Sequence, residues 1–578
     1  MKQRAHTILW AVSQSLLAVA IAFGIVALTG CSRRTGRHTL HVLSTNDVHG
    51  SWFDSTYTGG KTRPSLLAVK YYVDSIRNAE GAENVLLLDV GDCLQGDNAP
   101  YYFNYVDTLS EHLFPRLVRY MGYDAVTLGN HDIETGHGVY DRIASQMKSY
   151  GIPFLAGNAI RTDDGKAYFQ EYKVFRRAGM KVLVLGYDNA NISAWLSGEL
   201  WSGMTFESLV PFVQERVDAV KAKTRPDVVV VSVHSGTGAG DGKQLESQGL
   251  DLFKSLRGVD VLLCSHDHRQ VTFSNDSICL VNSGSHSKYL GHAVVSVDFQ
   301  RGKAVSRSIG ASLVRVDRAK ADAAMREAFR PEYEAVKAFT LREVGELERE
   351  MHTRDAYTGM CDYINLIHTV QLEATGAQVS FAAPLTYNGT VRAGKVVYND
   401  MFTIYPYENQ LFVASLSGKE IKDYLESSYD MWIQTYDASH VLKIAPRDDA
   451  RTASRGWSFV GRSYNFDSAA GLVYTVNVTR KAGDRVNIVS LADGTPFDPD
   501  HMYSVAMTSY RCSGHGWDSR VTQKLPEIRE FVYRYFKSHG KVTPEMMGDG
   551  SLLGSWSFVP QPVASRAIGK DMELLFKK

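Results

Sequence analysis

At 578 residues the chain is too long for one hydrophobic core, since single cores stop growing at roughly 250 to 300 residues, so two domains are expected. Apolar residues make up 44% and charged residues 22%, as in a globular protein. Lys and Arg together number 63 and so do Asp and Glu, which excludes the basic footprint of a nucleic-acid binder and points to a small substrate rather than a polymer.

The first 31 residues stand apart. Lys2 and Arg4 precede an apolar run over residues 8–28, and Leu28-Thr-Gly-Cys31 closes it. That order is expected of a secretory signal ending in a lipobox, with Cys31 acylated as the new N-terminus. The body is then held outside the cytoplasm by a lipid anchor, in the periplasm or at the outer membrane. An uncleaved transmembrane anchor is the alternative, disfavoured because the run stops at a cysteine instead of a basic stop-transfer segment. The other cysteines, Cys93, Cys264, Cys279, Cys361 and Cys512, are odd in number and lack CxxC or zinc-finger spacing, so at least one thiol should be free. Cys93 and Cys264 read as small buried packing residues beside Asp92 and His266.

From residue 39 to about 316, apolar runs at 40–43, 85–90, 125–128, 182–186, 228–233 and 261–263 read as strands. Amphipathic stretches at 64–76, 109–121, 206–222 and 244–256 fit helices between them, and the alternation predicts an α/β domain with one largely parallel sheet. Residues 319–350 shift to Ala, Glu, Arg and Lys with helical spacing and read as a helical linker interrupted at Pro331. Beyond it lies a region rich in Tyr and Thr, with strand-like runs at 410–416, 472–478 and 503–507.

Five short stretches at the ends of apolar runs carry the chemistry: Asp47-Val-His49, Gly91-Asp92, Gly129-Asn130-His131-Asp132, His234 and His266-Asp-His268. A carboxylate bridging two cations offers one oxygen to each, and histidine nitrogens with an amide oxygen complete shells typical of zinc, manganese or iron. Asp92 is the bridging candidate. The DxH spacing predicts alternate residues of an extended strand end turned to one side, two ligands per triplet. Any one member is weak, and a lone His234 would more often be an ordinary strand-end histidine; it is the ordered set that is specific.

That set resembles the calcineurin-like metallophosphoesterases, and more narrowly the 5'-nucleotidase family, over nearly the whole chain after the signal. The resemblance implies an α/β protein: an N-terminal four-layer β-sandwich flanked by helices over 38–318, the helical linker at 319–350, and a second α/β, nucleotide-binding domain over 351–578. It implies a first metal site of Asp47, His49, Asp92 and His268 and a second of Asp92, Asn130, His234 and His266, two divalent ions in all. The expected nucleophile is water activated by the metals, not a side chain. His131 is expected near the phosphate as a cation or general acid, with Glu134 orienting its other nitrogen. Family members usually carry Glu at the position of Asp132 and Asp at that of Glu134; this chain swaps the two, leaving open which carboxylate supports His131.

In the second domain the resemblance puts Tyr464, in Ser-Tyr-Asn-Phe-Asp, and Tyr510, in Ser-Tyr-Arg-Cys-Ser-Gly, on either side of a base. These motifs look closer to the 2',3'-cyclic-nucleotide 2'-phosphodiesterase/3'-nucleotidase branch than to strict 5'-nucleotidases, whose Gly-Gly-x-Arg pattern is matched only by Tyr387-Asn-Gly-Thr-Val-Arg392, with Arg392 out of register. Asn388, Asn409 and Arg511 are the expected polar contacts. The implied activity is nucleotide phosphohydrolysis by a monomer, with closure about the linker joining the two sites. A hydrolase of nucleotide sugars or sulfur esters, or a catalytically silent surface binding protein, stand as alternatives.

Overall fold

The computed structural model describes residues 34–446 and 456–576. The expected signal and lipid-bearing Cys31 lie outside the described residues, none of whose helices is long and apolar enough to cross a membrane.

Two six-stranded sheets, not one, form the N-terminal part. In the first, Gly36–Thr45, Val85–Asp89, Ala125–Thr127 and Phe154–Leu155 run parallel, and the long hairpin Tyr289–Gln300 and Lys303–Arg315 joins antiparallel at one side. In the second, Met180–Tyr187, Val228–Val233, Val261–Leu263 and Cys279–Ser283 are parallel, with antiparallel edges at Tyr172–Arg177 and Gln270–Ser274. The single parallel sheet predicted from the alternation is therefore corrected to a sandwich of two mixed sheets. The reason lies in the side-chain period of two: Leu86 and Leu88 face the other sheet, against Val182, Val184, Val228 and Val230. Val85 and Leu87 face outward onto Leu67 and Leu117 of covering helices. On the second sheet Val229 and Val231 meet Val213 and Val217 in the same way. Strands apolar on both faces need two partners each, and helix, sheet, sheet, helix is the stacking that supplies them. Each such side chain contributes about 1.5 to 3 kcal/mol.

The connection is only half helical. Asp322 caps Ala323–Ala328, and Pro331 opens Arg330–Thr340 in its first turn, where a missing N–H costs nothing. The stretch after it, read as helix from its composition, is instead the strand Glu343–Leu347, paired with Gly394–Val397 and Lys541–Val542. Val344 and Leu347 are buried there, and a Cβ on Gly345 would lie 2.8 Å from the Gly540 carbonyl oxygen. Tertiary pairing overrides a helix propensity worth only tenths of a kcal/mol per residue, roughly.

The C-terminal part is built on a five-stranded sheet in the order Ser468–Ala470, Val379–Ala382, Met502–Thr508, Gln410–Ser417, Val521–Glu527. Phe381, Phe412 and Val505 bury one face against Gly418–Trp432. That helix starts because Ser417 and Glu420 form a reciprocal capping box, the Glu420 carboxylate accepting the Ser417 amide at 2.9 Å. Ala382, Leu411 and Ala506 bury the other face against Asp362–Thr375 and Ile528–His539.

Candidate metal centre and the facing aromatic site

The ligand-bearing stretches meet at the sandwich's edge, three from the first sheet and two from the second. Of the seven expected ligands, Asp47, His49, Asp92, His266 and His268 have φ between 46° and 70°. Left-handed backbone is rare for side chains with a Cβ and costs about 1 to 3 kcal/mol per residue. The two DxH triplets are thus not extended strand ends as predicted; each holds both of its candidate ligands in left-handed backbone. Two glycines make room. A Cβ on Gly129 would lie 2.3 Å from Asp92 Oδ1, and one on Gly91, at φ 96°, 2.7 Å from His234 Nδ1.

The donors converge in two groups, Asp47 with His49 and His268, and Asp92 with His234 and His266. His49 Nε2 and His268 Nε2 stand 3.0 Å apart, and His268 Nε2 is 3.7 Å from Asp47 Oδ1. His234 Nε2 is 3.1 Å from both Asp92 Oδ2 and Asn130 Oδ1, and His266 Nδ1 is 3.0 Å from the same Asn130 oxygen. His234 Nδ1 is 2.8 Å from the Val90 carbonyl, which can only accept, so Nδ1 carries a proton and Nε2 is the nitrogen turned toward Asp92 and Asn130. Burial holds His49 well below the usual imidazole range, His266 at about 3 and His268 at about 4, so all three are neutral. At His234 burial opposes protonation but the Asp92 charge outweighs it and raises the ring. Neutral imidazoles with paired lone pairs at 3.0 Å, two buried carboxylates and an amide oxygen make a donor set that fits divalent cations.

The open choice at the swapped carboxylates is resolved by geometry. Glu134 Oε2 lies 2.5 Å from His131 Nδ1. Asp132, far from a surface residue at 1% exposure, accepts the amides of Asp92, Cys93, Leu94 and Gly129, each within 2.9 Å. It braces the turn that presents Asp92. Burial disfavours a charged His131, but Asp92 and Glu134 together raise it to about 9, so it is a cation at neutral pH. Cys93 and Cys264 are buried, and every described cysteine is free. Their thiols are pushed well up by burial, as packing residues should be.

The C-terminal part faces this centre. Tyr407 lies parallel to His131 at 6.5 Å, and Tyr464 meets Tyr407 edge-on at 6.5 Å. Burial and then the neighbouring Tyr464 push Tyr510 up to about 12. Arg511 is 7% exposed and already engaged: it pairs with Asp467 at 2.7 Å and donates to Asn465 Oδ1 and to the Tyr464 carbonyl. The structure thus makes Arg511 the post that holds the Tyr464 loop. Asn388 and Arg392 are exposed, and Asn409 is within 3.5 Å of the Tyr405 hydroxyl. Sequence reading missed several neighbours. Trp195 stacks on His266 at 5.0 Å, Ser265 Oγ lies 2.9 Å from His234 Nδ1, and Arg462 acts by its charge on His268 and Glu246. Ser265 and Arg462 each sat next to a recognised motif, before His266 and before Ser-Tyr-Asn-Phe-Asp; Trp195 carries no local signal, because it reaches the centre from a distant loop.

Comparison with known proteins agrees with this arrangement. The family model described as calcineurin-like phosphoesterase matches residues 40–270, and that described as 5'-nucleotidase, C-terminal domain, matches residues 340–519. The trifunctional nucleotide phosphoesterase protein YfkN of Bacillus subtilis is 23% identical over 593 residues, spanning 90% of the chain, which covers only 39% of that longer protein. The 2',3'-cyclic-nucleotide 2'-phosphodiesterase/3'-nucleotidase of Yersinia enterocolitica is 20% identical, covering 92% of the chain and 90% of the relative. In fold, the crystal structure of a candidate 5'-nucleotidase from Staphylococcus aureus superposes with a TM-score of 0.76 at 20% identity, over 90% of this chain and 99% of that one. With its divalent-metal donor set in the N-terminal domain and the second domain facing it, the chain belongs to the 5'-nucleotidase family of metal-dependent phosphoesterases.

Proposed function

We propose that the chain hydrolyses phosphate esters of nucleotides, the phosphate held at the His-Asp centre and the base between Tyr464 and Tyr510. The observation that carries this reading is the meeting of the two sites: the His131, Tyr407, Tyr464 row of rings leads directly from the metal-ligand loops to the aromatic pair. Asp47, His49 and His268, and Asp92, Asn130, His234 and His266, would hold two divalent cations, Zn²⁺ or Mn²⁺ in our reading. When bound, these supply Lewis acidity toward the phosphoryl oxygens and make water a better nucleophile. The protein's own groups do the rest. His131, its Nδ1 taken by Glu134, keeps Nε2 for the phosphoryl group, where it offsets developing negative charge or gives its proton to the departing alkoxide as the P–O bond breaks. Stacking fixes the base at one end, and positioning of this kind can contribute several kcal/mol.

The reading extends to the whole chain: residues 38–318 carry the metals, 319–350 connect, and 351–578 select the substrate. It acts as a monomer tethered in the cell envelope through lipid on Cys31, salvaging extracellular nucleotides. The surroundings of Tyr464 and Tyr510 favour the cyclic and 3' esters over AMP. Phosphate release by the purified protein with Mn²⁺ or Zn²⁺ tests this, with AMP, 3'-AMP, 2',3'-cyclic AMP and UDP-glucose compared side by side. Preference for 3'-AMP and the cyclic ester is expected; preference for AMP makes it a 5'-nucleotidase, for UDP-glucose a nucleotide-sugar hydrolase. No turnover by a metal-loaded sample that still binds nucleosides would leave a silent binding protein.

A further inference from the structure

Beside the catalytic groups a cavity of about 410 Å³ lies between the two parts of the chain, a volume typical of small-molecule sites. Four glutamates line it, Glu134 from one side and Glu408, Glu527 and Glu530 from the other, and no basic side chain does among the described residues. Their pairing is incomplete. Glu134 holds His131, and Glu530 pairs with Arg534 at 2.9 Å. Glu408, its side chain 6% exposed, gives Oε1 to the fully buried Arg529 at 3.1 Å. Glu408 Oε2, Glu527 Oε2 and Gln410 Oε1 are buried without a close hydrogen bond, although Gln95 acts on Glu408 as a side-chain donor. Buried acceptors left without donors are costly, and more so when charged. The natural occupant is therefore a ligand that only donates.

We propose that this interdomain cavity binds an organic ammonium ion. An ammonium group presents only N–H donors or, when quaternary, a diffuse positive charge. Trp195, Tyr101 and Tyr105 supply aromatic wall and Leu196 and Leu200 apolar wall, which suit the alkyl part. A bare Mg²⁺ or Ca²⁺ ion would want six or more oxygens and gain nothing from those surfaces. Because Glu134 belongs both to this lining and to the His131 pair, the occupant reaches the carboxylate that keeps His131 charged.

Calorimetric titration of the full chain with 1,4-diaminobutane tests the site without requiring turnover, so its outcome is independent of the substrate assignment. Saturable binding is expected, weakened about tenfold or more in Glu527→Gln. Glu408→Gln breaks the contact ion pair of the buried Arg529 and can fail to fold, so Glu527→Gln, which acts on Arg529 only at longer range, is the deciding variant. Absence of saturable heat up to about 10 mM, or equal affinity in wild type and Glu527→Gln, would overturn the proposal. So would saturation by Mg²⁺ with none by the diamine.

Discussion

The two halves of the site are built on opposite principles. In the metal-centre half every candidate ligand stands one to five residues beyond a buried strand, Asn130 at the start of a short helix and the others on loops, and five of the seven have left-handed backbone. In the facing half the aromatic groups sit on loops and short helices, and position depends on a single buried cross-link, Arg511 to Asp467, with Asn465 and the Tyr464 carbonyl attached to it. Chemistry that develops charge needs fixed dipoles; recognition of a flat base tolerates looser support. One half should therefore fail completely when a ligand is lost, and the other by degrees.

The largest effect is expected at the centre. Asp92→Asn removes the carboxylate of the second donor group, the one expected to bridge, and turnover should fall by about three orders of magnitude or more together with metal content, measured by phosphate release and metal analysis. A variant that kept both metals and full rate would show that Asp92 is not required at the centre. His131→Ala should lower kcat about a hundred- to thousandfold while metal content stays unchanged, since the ring lies outside both donor groups. Loss of both metals there would make His131 a ligand and the role assigned to it wrong.

On the other side, Tyr464→Ala or Tyr510→Ala should raise KM for nucleotides by about ten- to a hundredfold, the loss of one stacking contact worth about 1 to 3 kcal/mol. Hydrolysis of an aryl phosphate lacking a base should scarcely change. Equal loss on both substrates would mean the tyrosines support the centre rather than the base. The smallest effect sharpens the His131 and Glu134 pair. His131 is raised to about 9, so it is charged below that pH and the activity it supports is lost as pH rises through it. Glu134→Gln removes one of the charges that raise it, so the alkaline limb of kcat should move down by about one pH unit. An unmoved limb would assign that ionisation elsewhere.

Much of the centre was readable in advance because its signals are local. Each ligand follows a run such as Val228–Val233 or Val261–Leu263 that is apolar on both faces, and Asp, Asn, Gly and His crowd the turn beyond. The same local reading failed where partners are distant. Leu341-Arg-Glu-Val-Gly-Glu-Leu347 has helical composition, yet the open edge at Gly394–Val397 claims it as a strand. Asp132 and Glu134 are two residues apart and chemically alike; only the turn geometry gives one to four amides and the other to His131.

Sequence alone determined most of the elements, a candidate ligand set and the family, since hydrophobic period and turn chemistry are set by neighbours along the chain. Tertiary structure decided that the strands divide into two sheets, that Arg511 props a loop, that Trp195 stacks on His266, and that four glutamates surround one cavity. Those facts rest on contacts between residues far apart in the chain, where burial and charge depend on what packs opposite.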